Sequence, residues 1–104
     1  MKREITKEKR NSENLPYEKF IKYGPQSLTE SELLAIILRT GTKDKNALEL
    51  AEEILSLSQT NRTGLLGLYD LTMEKLMSVK GIGKVKAVKI QCIAELAMRI
   101  NSAS

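Results

Sequence analysis

Gly81 and Gly83 stand one residue apart in the stretch "LMSVKGIGKVKAVKI", residues 76–90, with Lys80 just before them and Lys84, Lys86 and Lys89 just after. Glycine supplies positive φ and lets a foreign atom approach the backbone closely. Placed between two apolar segments of helical spacing, the pair predicts a short bend joining two helices. The amides that open the second helix have no carbonyl four residues back, and they face outward at the positive end of a helix dipole. That geometry binds anions. With ammonium groups on either side, the matching anion is a phosphodiester, held without any base being read. The candidate phosphate contacts are therefore Gly81, Ile82, Gly83, Lys84, Val85 and Lys86, supported by Lys80 and Lys89. Gly81 is expected to end the first helix, Ile82 to fold inward and pin the bend, and Ala87 to let the two helices approach closely.

Two other phosphate motifs fail on the same residues. A dinucleotide fingerprint needs Gly or Ala at the sixth position, where Lys86 stands, and a strand in front, where the pattern is helical. A P-loop needs Ser or Thr after the Gly-Lys pair, where Val85 stands.

Other chemistry is sparse. The chain has no histidine and one cysteine, Cys92, so neither a disulfide nor a structural zinc site is expected. The carboxylates Glu18, Glu30, Glu32, Glu49, Glu52 and Glu53 have no base, metal cluster or nucleophile to work with. No enzymatic activity and no cofactor are expected of this chain. Cys92 falls between Val88 and Leu96 at helical spacing and is expected to pack in a core, with the methionines as core filler.

The net charge of +4 is mild, but its placement is not even. Between Lys75 and Ala94 there are five lysines and no acid, which leaves the rest of the chain close to neutral. At 104 residues the chain suffices for one domain. No segment is apolar enough to span a membrane, and the opening "MKREITKEKR" has no apolar signal core. A cytoplasmic, reducing location is expected, with no membrane partner.

The elements that must carry the bend follow from caps and periodicity. Residues 1–14 are polar, of mixed charge and without period, and predict a disordered arm. "NLPYEKFIKYG" predicts a short helix opened by Pro16 and stopped by Gly24, with Phe20 and Ile21 inward. Thr29 and Glu32 form a capping box for the helix of "SELLAIILRTG", with Arg39 near its negative end and Gly41 ending it. Asp44 is the expected cap of the next helix, whose stripe is Ala47, Leu50, Ala51, Ile54 and Leu55. A turn cluster at 59–64, a short apolar segment at "LLGLYD", a helix capped at Thr72, and a long helix over 84–100 complete the chain. No alternating strand pattern occurs. The fold class is all-α, a compact bundle of five to six short helices over residues 15–101, with 102–104 as an end outside it.

An internal match at an offset of forty residues sets Gly41 on Gly81, Ala47 on Ala87 and Leu50 on Ile90. It allows a degenerate tandem pair of hairpins, and helical spacing alone produces the same matches.

The segment 76–90 resembles the helix-hairpin-helix motif: apolar positions, then Gly-apolar-Gly, three variable residues and Ala. In that family the hairpin amides hold a DNA backbone phosphate without sequence preference. More widely, "YEKFIKYGPQSLTESELLAIILRTGTK", "ALELAEEIL" and "LTMEKLMSVKGIGKVKAVKIQCIAELAMR" are similar, in order and spacing, to the N-terminal domain of the RadC family, over residues 15–100. The departure is at the opening. A basic Arg-Pro-Arg-Glu-Lys is expected there, and Leu15-Pro16-Tyr17-Glu18-Lys19 stands instead, so no phosphate contact carries over from it. The resemblance implies a DNA-repair setting and weak, salt-sensitive contact with the backbone of double-stranded or branched DNA. It also implies a JAB/MPN-type zinc domain following in full-length members, whose histidine motif is absent here. The chain is thus expected to be an N-terminal fragment cut at "NSAS". A protein-interaction or scaffold role, with the hairpin as a packing device, is the alternative. It draws on the last helix, whose apolar residues cover most of its circumference and suit a central position or a partner.

Overall fold

A computed structural model describes residues 15–58 and 64–103; the expected disordered arm and most of the 59–64 turn cluster lie outside them. The described residues form helices and turns, with no strand among them. Contacts divide the chain into two units, with the boundary between Glu53 and Ile54.

In the first unit, helix α1 covers 15–23, with Pro16 buried in its first turn. Gly24, at φ +91°, donates its amide to the carbonyl of Phe20 at 2.7 Å and ends the helix. A 3-10 turn, Pro25–Ser27, follows. Thr29 and Glu32 then form the expected capping box at the head of α2, Glu30–Leu38. The Thr29 amide donates to Glu32 Oε1 at 2.8 Å, and the Glu32 amide donates to Thr29 Oγ1 at 3.2 Å. The Lys19 ammonium lies 3.2 Å from the same Glu32 oxygen and ties α1 to α2. Pro16 is buried while Phe20 and Ile21 are exposed, Ile21 at 68%, so neither points inward as the sequence suggested.

Two local expectations are corrected in the connection after α2. Gly41 does not end the helix. Arg39 does, at φ +70° and ψ −50°, and the Thr40 amide donates to the Leu38 carbonyl at 2.8 Å. That is a γ-turn of the positive-φ kind, rare for a residue with a side chain. Gly41 serves instead where backbone meets backbone: a Cβ there would sit 2.1 Å from the Lys45 carbonyl oxygen. Asp44 is not the cap of α3, Ala47–Leu55. Asn46 is, its Oδ1 accepting from the Glu49 amide at 2.8 Å while its own amide donates to Glu49 Oε1 at 3.0 Å. Asp44 sits in the turn before it, its amide held by Thr42 Oγ1 at 3.2 Å. Lys45 pairs with Glu53. The α3 residues Ala47, Leu50 and Ala51 are buried as expected, with Leu34, Ala35 and Leu38 of α2.

In the second unit, Ile54 and Leu55 are buried at the end of α3. Helix α4, Gly64–Gly67, runs into a 3-10 turn, Leu68–Asp70. Thr72 caps α5, Met73–Met77, its hydroxyl accepting from the Lys75 amide at 3.0 Å. The long α6 covers Lys84–Ser102. Both α5 and the Leu68–Asp70 turn pack on α6. Leu68, Leu71, Leu76, Val79, Ile82, Ala87 and Ile90 are buried, and Gln91 of α6 donates to the Leu71 carbonyl. No helix of the described residues is long and apolar enough to cross a membrane.

Candidate nucleic-acid interface

The bend between α5 and α6 is built from two successive turns. Helix α5 stops at Met77, and the Ser78 amide returns to the carbonyls of Glu74 and Lys75 at 3.1 and 3.2 Å. The Val79 amide then donates to Leu76 at 3.1 Å, and the Ile82 amide donates to Val79 at 3.0 Å. Gly81 is the third residue of that last turn, at φ +94°. This is the position a type II turn reserves for glycine. Gly81 therefore closes a β-turn beyond the helix rather than the helix itself. Val79 and Ile82 clasp the turn from below, both buried, Ile82 only 4% exposed. Ala87, fully buried one turn into α6, leaves room for the α5–α6 approach.

Gly83 differs from Gly81. It is the N-cap of α6 at φ −88° and ψ −173°, an extended conformation open to any residue. A Cβ built on it meets nothing within 4 Å. Neither backbone nor packing asks for glycine here. Gly83 also supplies no side-chain cap, and the amides of Gly83, Lys84 and Val85 have no acceptor among the described residues. By contrast, the first turns of α2, α3 and α5 are each closed by a side chain, from Thr29, Asn46 and Thr72.

The eight residues picked from the sequence fall together but divide by role. Gly83, Lys84 and Val85 present open backbone amides. Ile82 does not, since its amide is taken by Val79 and its side chain is in the core. Gly81 shapes the turn. Lys80 and Lys84 are exposed, and Lys86 and Lys89 are partly so. The side chain of Val85, 71% exposed, lies on the open surface of α6. Ala87 and Ile90 define the opposite, buried side.

Residues 40–46 and 80–86 differ. Gly41 answers to backbone crowding and Gly81 to a positive φ, and Asn46 closes the head of α3 where Gly83 leaves α6 open. The forty-residue match is therefore one of helical spacing, not of turn geometry.

The N-terminal model of the UPF0758 family matches residues 7–88. The chain belongs to the UPF0758 N-terminal family. Among UPF0758 proteins it is similar to one from Alkaliphilus oremlandii, 51% identical over 86 residues, and to one from Clostridium novyi, 48% identical over 87. It is also similar to one from Geobacillus thermodenitrificans, 44% identical over 101 residues. These alignments cover 83%, 84% and 97% of this chain. They cover only 36%, 36% and 41% of the UPF0758 relatives, so the chain spans about two-fifths of their length. No solved structure matches it.

The α6 surface also departs from the sequence reading. Cys92 is exposed rather than packed, and Val88 and Leu96 beside it are exposed too. Met77 and Met98 are half in solvent rather than core filler. Only Ala87 and Ile90 of this helix are fully buried, and Leu96 and Ile100 are 60% and 72% exposed. α6 is a helix lying along one side of its unit, not a central one.

Proposed function

We propose that this chain is a DNA-backbone-binding module of the helix-hairpin-helix kind, in which the α5–α6 bend grips one phosphate without reading sequence. The observation that carries the reading is Gly83: a glycine that neither conformation nor packing requires, at the head of a helix left uncapped. A missing side chain there keeps the amides of Gly83, Lys84 and Val85 open to an oxyanion from outside. Lys84 supplies an exposed charge at the same point, and Lys80, Lys86 and Lys89 add to the field. Phosphodiester oxygens in double-stranded or branched DNA offer the geometry, and a DNA-repair setting in the cytoplasm accords with the RadC-like pattern. The chain itself is not an enzyme on this reading. It positions a metal-dependent domain that follows in longer family members.

Titration of labelled protein with a short duplex tests the reading. At low salt the amide signals of Gly83, Lys84 and Val85 should shift most, with those of α2 and α3 unmoved, and the shifts should fade as salt rises. Two duplexes of unrelated sequence should give the same pattern. No shift at those three amides at low salt would refute it.

A second reading, a scaffold that packs on another protein domain, draws on the exposed apolar residues of α6, among them Val85, Leu96 and Ile100. Under it the same titration leaves the bend unmoved.

A further inference from the structure

A groove of about 240 Å³ runs between α4, the Leu68–Asp70 turn and the second half of α6. Leu65, Leu66, Tyr69, Ile93, Ala94 and Ala97 form its walls. Ala94 and Ala97 are the small residues of its α6 side, and Leu65 and Leu66 are exposed on the other. No charged side chain lines it.

Its size and lining restrict the occupant. Small-molecule sites usually run from about 300 Å³ upward and carry several placed polar groups. The hollow it opens into is wider, about 510 Å³, so the lining decides: in the groove itself Tyr69 is the one polar residue. A nucleotide or phosphate would lose hydration there with little in return. One or two large apolar side chains from a polypeptide fit both volume and chemistry.

The groove also has a direction. Tyr69 lines a second hollow with Met98, Asn101 and Ser102, so the depression continues to the last turn of α6. From Ile93 to Ser102 that is about 14 Å along the helix. The family match is to the N-terminal part of UPF0758 proteins, and roughly three-fifths of each relative lies outside the aligned region. In those proteins a chain turning back after α6 would pass directly along this depression.

We infer that the groove between Leu65–Tyr69 and Ile93–Ala97 seats an apolar segment of the polypeptide that follows α6 in longer UPF0758 proteins. This deepens the protein-contact part of the scaffold reading and rests on that part alone, and it leaves the α5–α6 bend free at the other end of α6 whether or not the bend holds a phosphate. The seat holds one or two bulky side chains against Ala94 and Ala97, so that the following domain is carried on the second unit.

The test compares thiol labelling of Leu66→Cys in this chain and in the full-length Alkaliphilus oremlandii protein with cysteine at the aligned position. Native Cys92, exposed on another side of α6, is the internal control. The inference expects labelling at position 66 to slow at least tenfold in the long protein, with Cys92, or cysteine placed at its aligned position, labelling alike in both. Weakening the seat with Leu65→Glu, on the exposed rim, should restore fast labelling at position 66 in the long protein with its helical signal unchanged. Equal labelling at position 66 in the two proteins overturns the inference. If position 66 stays open while Cys92 becomes protected, the groove is refuted and the scaffold reading survives on the other side of α6. If neither is protected, both fall.

Discussion

The two glycines of the bend carry opposite predictions. Gly81 sits at φ +94°, which a side chain tolerates poorly, so Gly81→Ala should cost about 1–2 kcal/mol and lower the melting temperature. Gly83 has an ordinary conformation and empty space around it, so Gly83→Ser should raise stability by about 0.5–1 kcal/mol, through a new N-cap and a less flexible unfolded chain. The serine hydroxyl would stand over the open amides where the phosphate must sit, accepting from the Lys86 amide three residues on, as Thr29, Asn46 and Thr72 do at their own helices. Duplex affinity should then drop about tenfold while the protein becomes more stable, an outcome opposite in sign to any misfolding effect. Thermal melts and a fluorescence-anisotropy titration on one sample check both. Residue type alone marked both glycines. What set them apart was φ and free space, and neither is written in the letters "GIG". Ile82 was misplaced among the contacts for a similar reason, because its amide closes a turn whose start at Val79 shows no turn-forming residue.

At the level of elements, side-chain caps were legible wherever they followed the Ser/Thr pattern. Thr29 with Glu32, and Thr72, stand where the sequence put them. The cap of α3 was missed because Asp44 and Asn46 both suit an N-cap; Glu49, three residues after Asn46, was the signal that decides between them. The roll of α1 was missed because apolarity favoured Phe20 and Ile21, while the residue that the structure buries is Pro16. Glu32 links these features. The Thr29 amide holds its carboxyl below the usual carboxylate range against partial burial, and Lys19 adds to the lowering. A lowered folded-state pKa means that the stabilisation is present above the unfolded value and is lost as pH falls through the folded one. Melting temperature should therefore decline as the pH is taken below the ordinary glutamate range. Glu32→Gln should flatten part of that decline, and Thr29→Ala should cost about 1 kcal/mol at neutral pH. Chemical-denaturant melts across acid pH separate the two effects.

At the scale of the whole molecule, the sequence showed the all-α class through capped 3.6-residue periodicity, and the long last helix through an unbroken run free of proline and glycine, and neither signal needs any knowledge of packing. It did not show that α6 leaves Cys92, Leu96 and Ile100 in solvent, since an apolar helix looks the same whether a partner covers it or not. Charge is the global property that bears on function. The chain carries only +4, so little long-range attraction to a polyanion comes from its net charge, and the proposed DNA contact draws on the five lysines in the stretch from Lys75 to Ala94. With about three phosphates neutralised, log K should fall with log salt at a slope near −2.7. Lys84→Gln should move that slope by about +0.9, and Lys84→Gln with Lys86→Gln by about +1.8, the loss being equal on every duplex sequence tried. A substitution outside the patch, such as Lys43→Gln in the exposed turn before α3, should leave the slope unchanged. If Lys43→Gln moved the slope as far as Lys84→Gln does, the interaction would be one of diffuse charge, and the open amides ahead of α6 would have no special part in it.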